Sequence, residues 1–220
     1  MPAGYLSKHE YVQKNPWVKE VNFEHFLDDR YKYGCGTFTD PRDGEVYQLA
    51  CIGDQVWFAE NLRYAGAGVC YDNDPSNCEK HGRLYTIDEA TARVTSDANP
   101  SEVQGICPDG WHVPSKAESE ELIDFAGGSA EAVIKLRPKD EWPAPNENTN
   151  ELGFNLLPSG YFVQQINNGH AEFEDLGIQT FIWSSSESTG YHYAFRGAGL
   201  GYYGSTANLI WKFSCRCVKD

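Results

Sequence analysis

The sequence predicts an α+β domain, and three observations carry that prediction: a hairpin signal near the start, two capped helical segments in the first half, and short strand-like runs through the second. From Thr37 to Trp57 two such runs flank Asp40-Pro-Arg-Asp-Gly44, whose proline and glycine supply the dihedrals of a hairpin loop. Thr86 with Glu89 has capping-box spacing ahead of Ala90 and Ala92. Ser115 with Glu118 repeats that spacing before Leu122, Ile123 and Phe125, and the helix should stop at Gly127-Gly128. Ser129 then caps a shorter helix that runs to Arg137 and is ended by Pro138.

Beyond Pro138 the helical period disappears. Residues 153–157, 161–165, 180–184, 191–196 and 209–218 read as strands separated by Gly, Asn and Ser, and the early hairpin is free to pair with the last of them. Residues 1–34 differ from the rest: Phe23, Phe26 and Leu27 mark one face of a short helix after Asn22, amid charged residues. This segment reads as an N-terminal arm or linker preceding one domain over residues 35–220. A chain of 220 residues, 40% hydrophobic, can bury one sizeable core without a second full domain.

The net charge of −14 repels nucleic acid phosphates and anionic lipid headgroups alike, so neither is an expected partner. No apolar run approaches the roughly 20 residues needed to cross a bilayer, so no direct membrane insertion is expected. The first ten residues carry no signal-peptide core, so an export signal is expected upstream of Met1. Export itself is expected from the cysteines at 35, 51, 70, 78, 107, 215 and 217, which include no Cys-x-x-Cys pair and no Cys/His cluster. Disulfides in an oxidising, extracytoplasmic setting are the better reading, and the odd count leaves at least one thiol over.

The run Phe38-Thr-Asp-Pro-Arg-Asp-Gly-Glu-Val-Tyr47, followed by Ile52-Gly-Asp-Gln-Val-Trp-Phe-Ala-Glu-Asn-Leu62, resembles the opening of the Fibrobacter succinogenes major paralogous domain. The resemblance continues in order through Cys70–Cys78, Gly82–Thr86, Cys107–Ser115, Gly153-Phe154, Leu157-Pro158, Trp183–Ser185 and Arg216–Asp220, covering residues 35–220. That family's later blocks are in turn similar to the C-type-lectin-like fold. The resemblance therefore implies two main helices, a twisted antiparallel sheet, and chain ends brought together. It also implies that Cys107 pairs with Cys217, closing a loop whose chain-entropy contribution is about 4 to 5 kcal/mol, and that Cys70 pairs with Cys78 across a short loop. Cys35 and Cys51 face each other across the hairpin and form the expected third bridge. Cys215 is left as a buried free thiol, on the same strand face as Phe213 and Cys217.

Several patterns that suggest chemistry have plainer readings. Gly199-Leu-Gly-Tyr-Tyr-Gly204 has dinucleotide-loop spacing, but the strand-like residues after it make it a glycine-rich turn between strands. Trp183-Ser-Ser-Ser186 lacks a nucleophile elbow, so Trp183 is expected in the core with its serines bonded to nearby groups. His112 reads as a packed histidine. Pro145-Asn-Glu-Asn-Thr-Asn150 offers oxygen donors but reads as a solvated loop, and no metal or cofactor is expected. Formylglycine-generating enzymes are also similar to C-type lectins and use a pair of reactive cysteines with copper. Cys215-Arg-Cys217 invites that comparison, but Cys217 is better used by Cys107, and catalysis is not expected.

The expected function is ligand binding, to a glycan or a protein, by a secreted or cell-surface bacterial domain. The alternative is a structural subunit of a surface assembly, self-associating through residues 1–34. The candidate ligand face comprises Tyr191, His192, Tyr193, Arg196, Tyr202, Tyr203, Asn208 and Trp211. Strand alternation is expected to turn one set of residues 191–196 outward, and the glycine-rich loop to present Tyr202 and Tyr203 as amphipathic rings.

Overall fold

The computed structural model describes residues 34–188, 191–196, 199–203 and 209–220; the side chains of residues 34, 35, 191–193, 199–203 and 209 are not among those described. The expected arm, including Phe23, Phe26 and Leu27, lies outside the described residues. Mixed helix and strand follow in the predicted order, confirming the α+β class.

The Asp40–Gly44 turn joins β1 (Gly34–Thr39) to β2 (Val46–Ile52), and a second turn at Gly53 leads into β3 (Gln55–Phe58). Asp40 organises the first turn by accepting from the backbone N–H and the guanidinium of Arg42, whose far nitrogen reaches the Ile106 carbonyl at 2.8 Å. The hairpin does join the end of the chain, through β3. Here β12 (Val218–Lys219) lies between β3 and β5 (Trp111–His112), giving one sheet in the order β1-β2-β3-β12-β5.

The second sheet runs β10-β9-β8-β11-β6-β7, with β4 (Leu84–Tyr85) paired to β11. Its strands are β6 (Ser159–Gln165), β7 (Ala171–Leu176), β8 (Phe181–Ser188), β9 (Tyr191–Arg196), β10 (Gly199–Tyr203) and β11 (Leu209–Ser214). Among the described residues pairing is antiparallel except for a parallel contact between β11 and β8 and an isolated parallel bridge from Gly160 to Thr180.

The four helices among the described residues are short. The first, α1 (Pro75–His81), was not expected; Asp74 caps it and Pro75 fits the first turn, where no backbone N–H is needed. The capping boxes at Thr86 and Ser115 both form, heading α2 (Ile87–Thr91) and α3 (Lys116–Phe125), and α4 (Ser129–Lys135) ends before Pro138. Phe125, expected on the apolar face of α3, is 56% exposed; its ring instead lies against Gly53.

Three expected strand readings are corrected. Residues 153–157 form no strand: Phe154 and Leu156 are buried, but the Leu156 N–H donates to the Leu136 carbonyl at the end of α4. The last strand breaks after Ser214, so Cys215-Arg-Cys217 is a connection and not part of a continuous strand over 209–218. Residues 199–203, expected as a turn, form β10.

Two apolar clusters lie on opposite faces of the strands. Tyr47, Leu49, Phe58, Trp111, Trp183 and Phe213 belong to one, together with Cys107, Cys215 and Cys217. Ala50, Ile52, Trp57, Ile182 and Val218 belong to the other, with Leu122 and Ile123 of α3 and Leu136, Trp142 and Phe154 beyond it. Strands such as β3 and the first six residues of β8 therefore bury both sets of alternating side chains. Trp183 donates its indole N–H to the Tyr85 carbonyl at 2.7 Å, and the serines after it bind the Ser96 and Pro114 carbonyls.

Cys70–Cys78 and Cys107–Cys217 are bonded, and Cys215 is a buried free thiol. Cys51 is also disulfide-bonded. Its expected partner Cys35 lies on the neighbouring strand, but that side chain is outside the described residues. No helix among the described residues is long and apolar enough to cross a membrane.

Candidate functional site

The structure gathers part of the expected ligand face. In the β9–β10 hairpin Tyr202 pairs with Tyr193 and Tyr203 with His192, while Tyr191 pairs with Ser188 of β8. Arg196, exposed at the end of β9, pairs with Gly199 and with Phe181. Asn208 lies outside the described residues. Trp211 stands apart: β11 is separated from β9 by β8, and the indole packs on Tyr161 at 5.6 Å and Phe213 at 5.8 Å, half-buried against the core. Nor does alternation leave one set of residues outside throughout, because Ala194 and Phe195 are both buried, in opposite clusters.

A depression of about 500 Å³ opens beside this hairpin's neighbour α4. One wall is α4, which packs against β10; the other is the loop over residues 142–148, and Ile178, 60% exposed, forms a lip. Backbone bonds hold the walls together: the Thr149 N–H donates to the Ile134 carbonyl at 2.8 Å, and the Leu152 N–H to that of Lys135 at 3.2 Å. The loop's polar side chains are largely spent on the loop itself. Trp142 donates its indole N–H to Leu156, and the Asn146 amide reaches the carbonyls of Lys139, Trp142 and Pro143. Asn148 is the exception, since its Nδ2 is buried with no hydrogen-bond partner. Above Trp142 lies the Arg137 guanidinium, 3.7 Å from the ring centre, its pKa lowered to about 10 by burial.

The residues of this depression were not singled out from sequence. Their only signal there was in Pro145 to Asn148, part of the Pro145–Asn150 stretch read as a solvated loop with oxygen donors. Nothing local showed that α4 and Ile178 would close around it.

Two other buried polar groups tie the fold together. His112 sits between Glu118, 2.6 Å from Nε2, and Asp220, 2.8 Å from Nδ1. Glu118 also accepts from the backbone of Ser101 and Ser115, so one carboxylate joins α3, the loop before Ser101, and β5. Arg216 is fully buried and gives its guanidinium to Asn61 Oδ1 at 2.8 Å and to the Phe154 and Asn155 carbonyls, with Phe154's ring 4.3 Å away. Burial lowers its pKa to about 9. The sulfurs of Cys107, Cys215 and Cys217 lie within 4.8 Å of one another, two of them already joined.

Comparison with curated proteins gives no match, and comparison with solved structures gives none. Residues 51–219, most of the chain and all of the elements from the end of β2 to β12, match one described family. This chain belongs to the Fibrobacter succinogenes major domain family.

Proposed function

We propose that the protein is an extracytoplasmic ligand-binding module with a C-type-lectin-like fold, and that its ligand is a glycan held in the depression between α4 and the 142–148 loop. The observation that carries this reading is the pinned framework of that depression. Its walls are fixed by backbone and amide bonds, so a ligand meets a preformed surface and little ordering entropy is lost on binding. Its volume of about 500 Å³ suits a small-molecule or sugar subsite. The disulfides belong to an oxidising compartment and support secretion or display at a bacterial surface. The net charge of −14 favours a ligand without phosphate.

Binding without catalysis is the economical reading. Cys217 is committed to Cys107, and burial pushes the Cys215 thiol up to about 12, so it stays protonated and unreactive. A glycan and cell-wall-polysaccharide array, run with and without chelator, tests the proposal. Retention of at least one glycan class, unaffected by chelation, is the expected result. An array with no retained glycan sinks the glycan reading and leaves a protein ligand.

A further inference from the structure

Resting on that reading, we propose that the depression recognises an N-acetylated sugar through its acetamido group. An acetamido group makes three demands in one small volume: an apolar contact for its methyl, a donor for its carbonyl, and an acceptor for its N–H. The depression supplies each. Val133, Pro143 and Ile178 give apolar walls, Asn148 gives a donor, and the exposed Glu147 carboxylate stands at the rim.

Asn148 decides between this group and a plain hydroxylated sugar. The Trp142 indole and the Asn146 amide are taken by backbone carbonyls, whereas Asn148, 4% exposed, keeps a buried amide donor with no partner. A buried donor without an acceptor is destabilising, so the site gains most from a ligand that brings a strong one. An amide carbonyl is stronger in this role than a hydroxyl, and the methyl attached to it fills apolar space that a hydroxyl would leave wet. A carboxylated sugar would also satisfy Asn148, but it would face Glu147 and a net charge of −14.

The test uses β-1,4-linked oligomers that differ only at the second carbon of each sugar: N-acetylglucosamine, glucosamine and glucose. Titration calorimetry at about 0.15 M salt, where exposed charges are screened beyond about 8 Å, keeps general attraction of cationic glucosamine to an acidic protein small. The N-acetylated oligomer is expected to bind at least tenfold tighter than either other one. Two variants locate the site. Asn148→Asp exchanges the donor for an acceptor, and Ile178→Trp fills the mouth from an exposed position that the fold does not depend on. Each should weaken binding at least tenfold, and Ile178→Trp should melt within a few degrees of the parent. Equal binding of the three oligomers, preference for glucosamine or glucose, or binding that survives Ile178→Trp overturns the inference. If none of the three binds while another glycan on the array does, the acetamido preference falls and the glycan reading stands. If no glycan binds, both fall.

Discussion

His112 shows how a single side chain can make stability depend on pH. Burial pushes its pKa down, but hydrogen bonds and charge from Glu118 and then Asp220 outweigh that effect and hold it above its ordinary value. A histidine raised on folding stabilises fully below its unfolded pKa of about 6.5, and the contribution is lost as pH rises through the folded value. His112→Gln is therefore expected to lower the melting temperature more at pH 5.5 than at pH 9, and a pH-independent difference would refute this. Arg216 makes a second prediction. Arg216→Met removes the donor that serves Asn61 and two carbonyls and should cost about 3 kcal/mol in denaturant titration; Arg216→Lys, lacking the planar fork, should not restore it. The sequence placed Trp183, its serines and the free thiol of Cys215 correctly because their surroundings are local or apolar. It read His112 only as packed, because Asp220 lies 108 positions away. Arg216 was hidden in a similar way. Residues 215–217 form a connection and not a strand, and the groups that enclose Arg216, on Asn61, Phe154 and Asn155, lie at least 61 positions away.

Elements whose signals are local were legible, and elements defined by what covers them were not. The capping boxes at Thr86 and Ser115 depend on residues three apart, and both formed. Ser115→Ala is expected to cost about 1 kcal/mol in thermal or denaturant unfolding, since it frees the Glu118 N–H and loosens the carboxylate that also holds His112. Residues 153–157 had a strand-like pattern because Phe154 and Leu156 are buried, yet their neighbour is the end of α4 and not a strand. The turn reading of residues 199–203 failed in the opposite sense, because glycine-rich chain can pair when a partner such as β9 is present. Glycine placement can also report packing. Gly105 has φ of 53°, and a methyl there would lie 2.1 Å from the Ala90 carbonyl oxygen, so Gly105→Ala should destabilise by more than 2 kcal/mol in the same assay.

For the whole molecule, the two bridges with both ends among the described residues act at different ranges. Cys70–Cys78 closes 8 residues and Cys107–Cys217 closes 110, for which chain entropy gives about 2.5 and 5 kcal/mol respectively. Replacing both cysteines of the short bridge with serine should lower the melting temperature modestly, and the same change at Cys107 and Cys217 should lower it most. Non-reducing peptide mapping that joins Cys107 to Cys215 would contradict the arrangement of the last residues. The fold class and the long bridge were within reach of the sequence and its family resemblance. The depression was not, because α4, the 142–148 loop and Ile178 come from separate stretches of the sequence with no local signal that they meet.

The position of β12 bears on the order in which the chain can complete its first sheet. The first sheet is assembled around β12, since β3 and β5 each pair with it and not with each other. A chain that emerges with its N-terminus leading presents β1 to β3 first and holds them without their neighbour β12 until residues 218 and 219 have followed. Its early strands would then stand with an unpaired edge, and Cys107 would wait for its partner through the 110 positions that separate it from Cys217.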